Sequence, residues 1–221
     1  MTNQPQTVGS TTYQRIKRDI IFGVLSPGAK LKLEPLKAQY SASLSTLRET
    51  LNRLASEGFV DAPEQRGFFV TPVSAEDLVE VANLRVLLEC HALELSVANG
   101  DTDWEGNLVA AHHKLHLLEQ RMLEGDSSEV ELWKRYDWEF HQALIQACDS
   151  RNLLELHARL YDKYLRYQML VMTNRGTVAV EEHRAMFDAA LARDASLARE
   201  HLEAHIRKGL TYTLAHMRET A

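Results

Sequence analysis

Apolar residues in the first quarter of the chain recur every three or four positions, and polar turns separate the runs. This spacing is typical of amphipathic helices and predicts three short ones. The first spans residues 12–22 and the second residues 31–40. The third is capped by Ser43 or Ser45 and ends near Gly58.

A strand pattern follows these helices. Residues 59–60 and 68–70 are apolar and flank a polar turn over 63–67, which predicts a β-hairpin. Three helices followed by a hairpin predict a winged helix-turn-helix over residues 12–73. Residues 1–11 lack a periodic apolar pattern, so we expect a flexible arm there.

The pattern changes after Pro72, where long helical runs replace the short elements. Ser74 with Asp77 three residues later is typical of a helix start. The predicted helices span residues 75–99, 102–123, 128–148, 151–172, 178–193 and 194–217. We therefore expect a mainly α protein, with an all-α antiparallel helical bundle over residues 74–221.

Charge is distributed unevenly between these two parts. The whole chain carries a formal net charge of −6. Residues 1–73 nevertheless contain nine Lys and Arg against six Asp and Glu. A basic N-terminal part followed by an acidic C-terminal part is expected when only the N-terminal part binds the phosphates of a nucleic acid.

The rest of the composition points to a cytoplasmic protein. No apolar run is long enough for a membrane span, and the polar N-terminus does not look like a signal peptide. Cys90 and Cys148 are widely separated, which suits two buried thiols in a reducing compartment.

The third helix and the hairpin turn hold residues suited to DNA. Helix-turn-helix proteins place such a helix in the major groove of double-stranded DNA, where hydroxyl and basic side chains contact phosphates and bases. The candidate DNA-binding residues are Ser43, Ser45, Thr46, Arg48, Thr50, Arg66 and Gly67. The alternative is that they are only cap and surface residues of a small helical domain.

Four residues of the bundle combine metal-binding chemistry with apolar surroundings. Asp137 and His141 are one helical turn apart among apolar neighbours, and His183 and His205 lie on the apolar stripes of two later helices. One carboxylate and three imidazoles suit a divalent ion such as Zn²⁺, Ni²⁺, Mn²⁺ or Fe²⁺. From spacing alone, histidines that only form hydrogen bonds in the core are the alternative.

Residues 13–73 resemble the GntR family of bacterial regulators. The shared elements, in order, are Pro27-Gly28, Leu33 to Leu36, Ser43 to Leu51, Glu57-Gly58-Phe59-Val60 and Arg66-Gly67-Phe68-Phe69-Val70. The chain departs from the family pattern at Leu44, where Arg is usual, and at Thr46, where Pro is usual. Its operator sequence therefore cannot be carried over from the family.

Residues 75–217 resemble the FCD ligand-binding domain of the FadR-type branch. The marks are Asp137 with His141, then Glu182-His183, Asp194, Ala198 and His205. The resemblance implies a metal site that helps to hold a small organic acid. It also implies that Arg85 and Asn152 bind this effector, although Arg85 could instead form an ion pair with Glu89. A faint resemblance to glutarate-responsive regulators suggests a short dicarboxylate.

These features predict a homodimeric transcription regulator, a repressor, that binds a two-fold pseudo-palindromic DNA operator. Its affinity for the operator would change when the organic acid binds. One alternative is a regulator that responds to the metal itself, and another is a metalloenzyme that uses the Asp and three His residues to activate water or oxygen.

Overall fold

The computed structural model describes residues 8–126, 128–171 and 175–219. Its N-terminal elements are α1 (Val8–Ile21), β1 (Lys30–Leu31), α2 (Leu33–Tyr40), α3 (Leu44–Ser56), β2 (Val60–Asp61) and β3 (Phe68–Val70). Helix α1 already begins at Val8, so the arm predicted over 1–11 is wrong for residues 8–11. Its first seven residues lie outside the described part of the chain.

The N-terminal helices form because each buries one apolar face against the others. Tyr13, Ile16 and Ile20 of α1 are buried, as the helical spacing predicts. The N-terminus of α3 is capped by Ser43, whose Oγ accepts a hydrogen bond from the backbone N of Thr46 at 3.1 Å. Ser45, the other predicted cap, lies inside the helix.

The three strands form one antiparallel sheet in the order β1-β3-β2. Strand β1 corrects the sequence prediction, which placed Leu31 in the second helix. Lys30 instead pairs with Phe69, and Leu31 pairs with Phe68. A two-residue strand is too short to show alternation, so only its pairing with β3 reveals it.

Six helices follow within the described residues: α4 (Ala75–Asn99), α5 (Thr102–Leu123), α6 (Val130–Ile145), α7 (Arg151–Leu170), α8 (Thr177–Leu191) and α9 (Ala195–Glu219). Their ends agree with the predicted ones to within a few residues, which is the usual uncertainty of helix boundaries. Ser74, Asp101 and Asp194 cap α4, α5 and α9 by accepting backbone hydrogen bonds. Helix α5 packs against α6 and α8, and α8 packs against α9.

The chain divides into two compact units that are not continuous in sequence. The first contains the chain up to Asp77 and a second stretch that begins at Asp162. The other contains Leu78–Tyr161 and the remaining C-terminal residues. Helix α7 therefore contributes to both units, whereas the sequence predicted a single boundary between residues 73 and 74.

Candidate functional site

Three histidines from three helices of the second unit meet in its core. His141 lies on α6, His183 on α8 and His205 on α9, and all three are buried. Each offers one ring nitrogen, and these three atoms lie within 4.8 Å of one another. The rings are close as well, with centroids 4.7 Å apart for His183 and His205. The structure therefore brings together three of the four predicted metal ligands.

A carboxylate orients each of these rings from behind. The Nδ1 atom of His183 donates to Glu119 Oε1 at 2.5 Å, and that of His205 donates to Glu182 Oε2 at 2.9 Å. The Nδ1 atom of His141 is bonded to Glu89. This arrangement leaves Nε2 of each ring for a metal, and carboxylate partners of this kind are typical of metal-binding histidines.

Asp137, the fourth predicted ligand, lies beside this group rather than within it. Its Oδ1 is 3.3 Å from His183 Nε2, so the carboxylate faces one of the three histidines. Its Oδ2 accepts a hydrogen bond from Tyr161 at 2.6 Å and lies 3.8 Å from Lys134 Nζ. Asp137 is thus placed to join a metal through Oδ1 while Tyr161 holds the other oxygen.

The protonation of the three histidines differs because their surroundings differ. Burial lowers the pKa of His141 and holds that of His205 well below its usual range, so both rings are neutral at pH 7. Burial acts on His183 in the same direction, but Asp137 and Glu119 outweigh it and raise the pKa of His183 to about 9. His183 must therefore release a proton before Nε2 can bind a metal.

The two predicted effector residues lie in different environments. Arg85 is buried, and its Nε and Nη2 both donate to Glu89 Oε2, at 3.0 and 2.9 Å. This is the ion pair that the sequence left open as the alternative for Arg85. Asn152 is exposed near the start of α7, unlike the buried histidine cluster.

Three buried residues around the histidines were not predicted to belong to this site. Glu119 and Lys134 are buried, and so is His157, whose Nε2 lies 3.0 Å from Glu89 Oε2. Glu119 shares the apolar face of Leu115 and Leu118 on α5. A charged residue on an apolar helix face could have indicated from the sequence that Glu119 belongs to a buried site.

The predicted DNA-reading residues of α3 are exposed with one exception. Ser43, Ser45 and Arg48 are exposed, and Thr46 is partly so. Thr50 is a correction: it is buried, 4% exposed, on the face that also carries Leu47, Leu51 and Leu54. Residues three and four apart share a helix face, so Thr50 faces the core and not DNA.

The wing consists of β2, β3 and the turn between them (residues 60–70). It places its predicted DNA-binding residues at an exposed turn. Arg66 and Gly67 are exposed, and Gly67 has a φ of +88°, a conformation that favours glycine. A groove of about 650 Å³ lies between the wing and α3, and its lining includes Arg48, Gly67, Lys30 and Lys32. Lys30 and Lys32 were not among the predicted DNA-binding residues, although they lie beside Arg48 in a basic surface suited to phosphates.

Two further expectations concern the chain as a whole. Cys90 and Cys148 are free and buried, as predicted. Within the described residues, none of the helices combines the length and the apolar character needed to cross a membrane.

Comparison with known proteins agrees with the two-part sequence pattern. The family of bacterial regulatory proteins called gntR matches residues 9–70, and the FCD domain family matches residues 80–208. This chain belongs to the GntR family and carries an FCD domain. It is therefore a DNA-binding transcription regulator with a winged helix-turn-helix and a helical FCD domain.

Individual relatives support the same assignment. The chain is 41% identical to the HTH-type transcriptional regulator BphR of Paraburkholderia xenovorans, over 90% of this chain and 82% of the relative. It is 32% identical to the HTH-type transcriptional repressor GlaR of Escherichia coli, over 88% and 90%. The solved structure of E. coli McbR/YncC superposes with a TM-score of 0.80 at 20% identity, covering 97% of this chain and 99% of that one. BphR and GlaR are both named transcriptional regulators, so the metalloenzyme alternative is set aside.

Proposed function

We propose that the protein is a cytoplasmic, homodimeric repressor whose affinity for its DNA operator changes when a small organic acid binds in the FCD domain. The acid, a carboxylate or dicarboxylate, would bind beside a divalent metal ion held by Asp137, His141, His183 and His205. Zn²⁺, Ni²⁺, Mn²⁺ and Fe²⁺ all suit this donor set, and the metal would supply a positive centre for the acid.

The observation that carries the proposal is the meeting of three buried imidazoles, each bonded through Nδ1 to its own glutamate. The three carboxylates orient the rings so that their Nε2 atoms point toward one another. Histidines that only filled the core would not need this orientation. Residues of this cluster fit a metal ion because the donors are already oriented.

Cationic side chains around the cluster support an anionic effector. Lys134 is buried beside Asp137, and Arg175 bonds Glu182, the partner of His205. Arg85 reaches the same network through Glu89. A carboxylate entering this region would find donors suited to charge-assisted hydrogen bonds. We retain Arg85 and Asn152 as proposed effector contacts.

The DNA-binding part of the proposal uses α3 and the wing. Ser43, Ser45, Thr46 and Arg48 would face the major groove, while Arg66 and Gly67 would approach the neighbouring backbone. One such domain reads few base pairs, so a homodimer on a two-fold pseudo-palindrome is expected. Repression follows the example of the relative GlaR, which is named a repressor.

The test is operator binding by the full chain under controlled metal and acid. An operator is first selected from random duplex DNA, and its affinity is measured by fluorescence anisotropy with metal-loaded and chelator-treated protein. We expect short dicarboxylates to change the affinity of the loaded protein and to leave that of the chelated protein unchanged.

Two variants and two further outcomes distinguish acid sensing at this site from the alternatives. His205→Ala should abolish the response to acid, whereas His201→Ala, a histidine one turn earlier on α9, should retain it. If metal alone produces the full change in affinity, the protein is a metal-responsive regulator instead. If neither metal nor any acid alters operator binding, the proposed sensing function is wrong.

A further inference from the structure

A second candidate binding site lies within the first unit, at the root of the wing. Residues of α3, β2, the segment between β3 and α4, the first turn of α4 and the C-terminal half of α7 line a cavity of about 380 Å³. Its lining includes Gly58, Asp61, Thr71, Asp77, Lys163 and Arg166. All of these residues belong to the first unit, and none belongs to the histidine cluster.

Arg166 supplies a buried cation to this cavity with one donor unused. It is only 4% exposed, and its Nη2 donates to the backbone oxygen of Thr71. Its Nε is buried and has no hydrogen-bond partner among the described residues. An unsatisfied donor on a buried guanidinium is costly, so a ligand that accepts this hydrogen bond would be stabilised.

Lys163 provides a second cation on the wall of the same cavity. Its ammonium lies over Gly58, where a Cβ atom would come within 2.8 Å of Nζ. Gly58, with a φ of +79°, thus ends α3 and also leaves room for the ammonium. The described part of the chain contains no hydrogen bond or ion pair of Lys163.

The carboxylates that line the cavity already have hydroxyl partners. Asp61 Oδ1 accepts a hydrogen bond from Thr71 Oγ1 at 2.8 Å, and Asp77 Oδ2 accepts one from Tyr167 at 2.5 Å. These contacts hold the two acids against the wall. Among the described residues of the lining, Lys163 Nζ and Arg166 Nε are the cationic donors for which no acceptor is found, so an anion would supply the missing acceptor.

We propose that this cavity binds a small oxyanion group, a carboxylate or a phosphate, through Lys163 Nζ and Arg166 Nε. Both contacts would be charge-assisted hydrogen bonds, and Arg suits planar or tetrahedral oxyanions. Asp61 belongs to β2 and Thr71 follows β3 directly, so a bound anion would lie between α7 and the strands of the wing.

Hydrogen exchange of the full chain tests this site because it reports location. Inorganic phosphate and succinate are the probes, with sodium chloride at matched ionic strength as the reference. We expect slower exchange over residues 58–61 and 71–77 with at least one probe. Protection by one of them alone identifies which oxyanion the cavity prefers. Protection by neither, or protection only outside these segments, overturns the proposal.

Variants of Lys163 complete the test, since this residue is only half-buried and can be replaced without opening the core. Lys163→Ala and Lys163→Glu should weaken binding of the probe about tenfold or more, as expected for a lost charge-assisted contact. Arg159→Ala removes an exposed positive charge from the same helix and should leave the affinity unchanged. Equal affinities of the wild type and Lys163→Glu would contradict the assignment.

Discussion

Glu119 Oε1 accepts a hydrogen bond of 2.5 Å from His183 Nδ1, across 64 residues of sequence. The contact joins α5 to α8 and fixes the ring of His183 with Nε2 turned away from the glutamate. Metal affinity should therefore depend on Glu119 although it is not a ligand.

We predict that Glu119→Gln lowers metal affinity about 10–100-fold, the usual effect of losing a carboxylate behind a metal-binding histidine. Competition with a chromophoric chelator measures this change. Glu124→Gln removes the same charge from an exposed position just beyond α5 and should have no effect. Equal losses in the two variants would show that the Glu119 contact does not act on the metal.

We next predict that the purified chain holds about one divalent ion, and that His183→Ala and His205→Ala each lose most of it. Removing one of three imidazoles leaves too few ligands for a tight site. Elemental analysis gives the metal content. His201→Ala should keep the metal, because His201 is only partly buried and lies outside the group of three. Loss in His201→Ala with retention in His205→Ala would refute this ligand set.

Arg48 is the exposed basic residue of α3 that faces the groove beside the wing. Arg48→Ala should weaken operator binding by about 1–3 kcal/mol, measured by anisotropy with labelled DNA. The matched control is Arg151→Ala, which removes an exposed arginine from α7. Normal operator affinity in a folded Arg48→Ala protein would exclude α3 as the recognition helix.

Assembly is predicted to depend on the exposed apolar residues of α4. Leu84 and Leu87 are 41% and 65% exposed, which suits contact with a second copy. We expect a dimer at micromolar concentration in analytical ultracentrifugation. Leu87→Glu should raise the dissociation constant at least about tenfold, since a buried leucine contributes roughly 1.5–3 kcal/mol. Val24→Glu, at an equally exposed position of the first unit, should leave the dimer intact.

The stability of the first unit should depend on pH through Glu57. This carboxylate accepts a hydrogen bond from Tyr13 and lies 3.0 Å from Lys17 Nζ. Burial would raise the pKa of Glu57, but Tyr13 and Lys17 outweigh it and lower the pKa below its usual range. The stabilisation is therefore present above the unfolded pKa of about 4.3 and is lost as the pH falls through the lower folded value.

Glu57→Gln should accordingly destabilise the protein at pH 7 by about 1–3 kcal/mol, in line with hydrogen bonds to charged groups. The difference from wild type should begin to shrink below about pH 4.3 and disappear once the pH has fallen through the lowered pKa of folded Glu57, where this carboxyl is neutral like the glutamine that replaces it. Urea unfolding at several pH values measures it. Glu64→Gln, in the exposed turn of the wing, is the control. A difference that stays constant down to the lowest pH would contradict the ionic role of Glu57.

The sequence by itself determined the main helices and the burial of the three histidines, and it narrowed the cap of α3 to Ser43 or Ser45. These properties follow from periodicity along one helix, because residues three and four apart share a face whatever the helix packs against. The same rule placed Asp137 and His141 together. It also explains why Thr50 could have been assigned to the core, since it lies three residues after Leu47 and four before Leu54.

Only the tertiary structure decided which residues meet across helices. Whether Glu89 reaches His141 depends on the rotation and depth of two helices that are distant in sequence, and periodicity carries no information on either. The pairing of β1 with β3 and the division of α7 between two units are likewise set by packing. The site at Lys163 and Arg166 belongs to the same class, because α7 meets the strands of the wing only after the chain has folded.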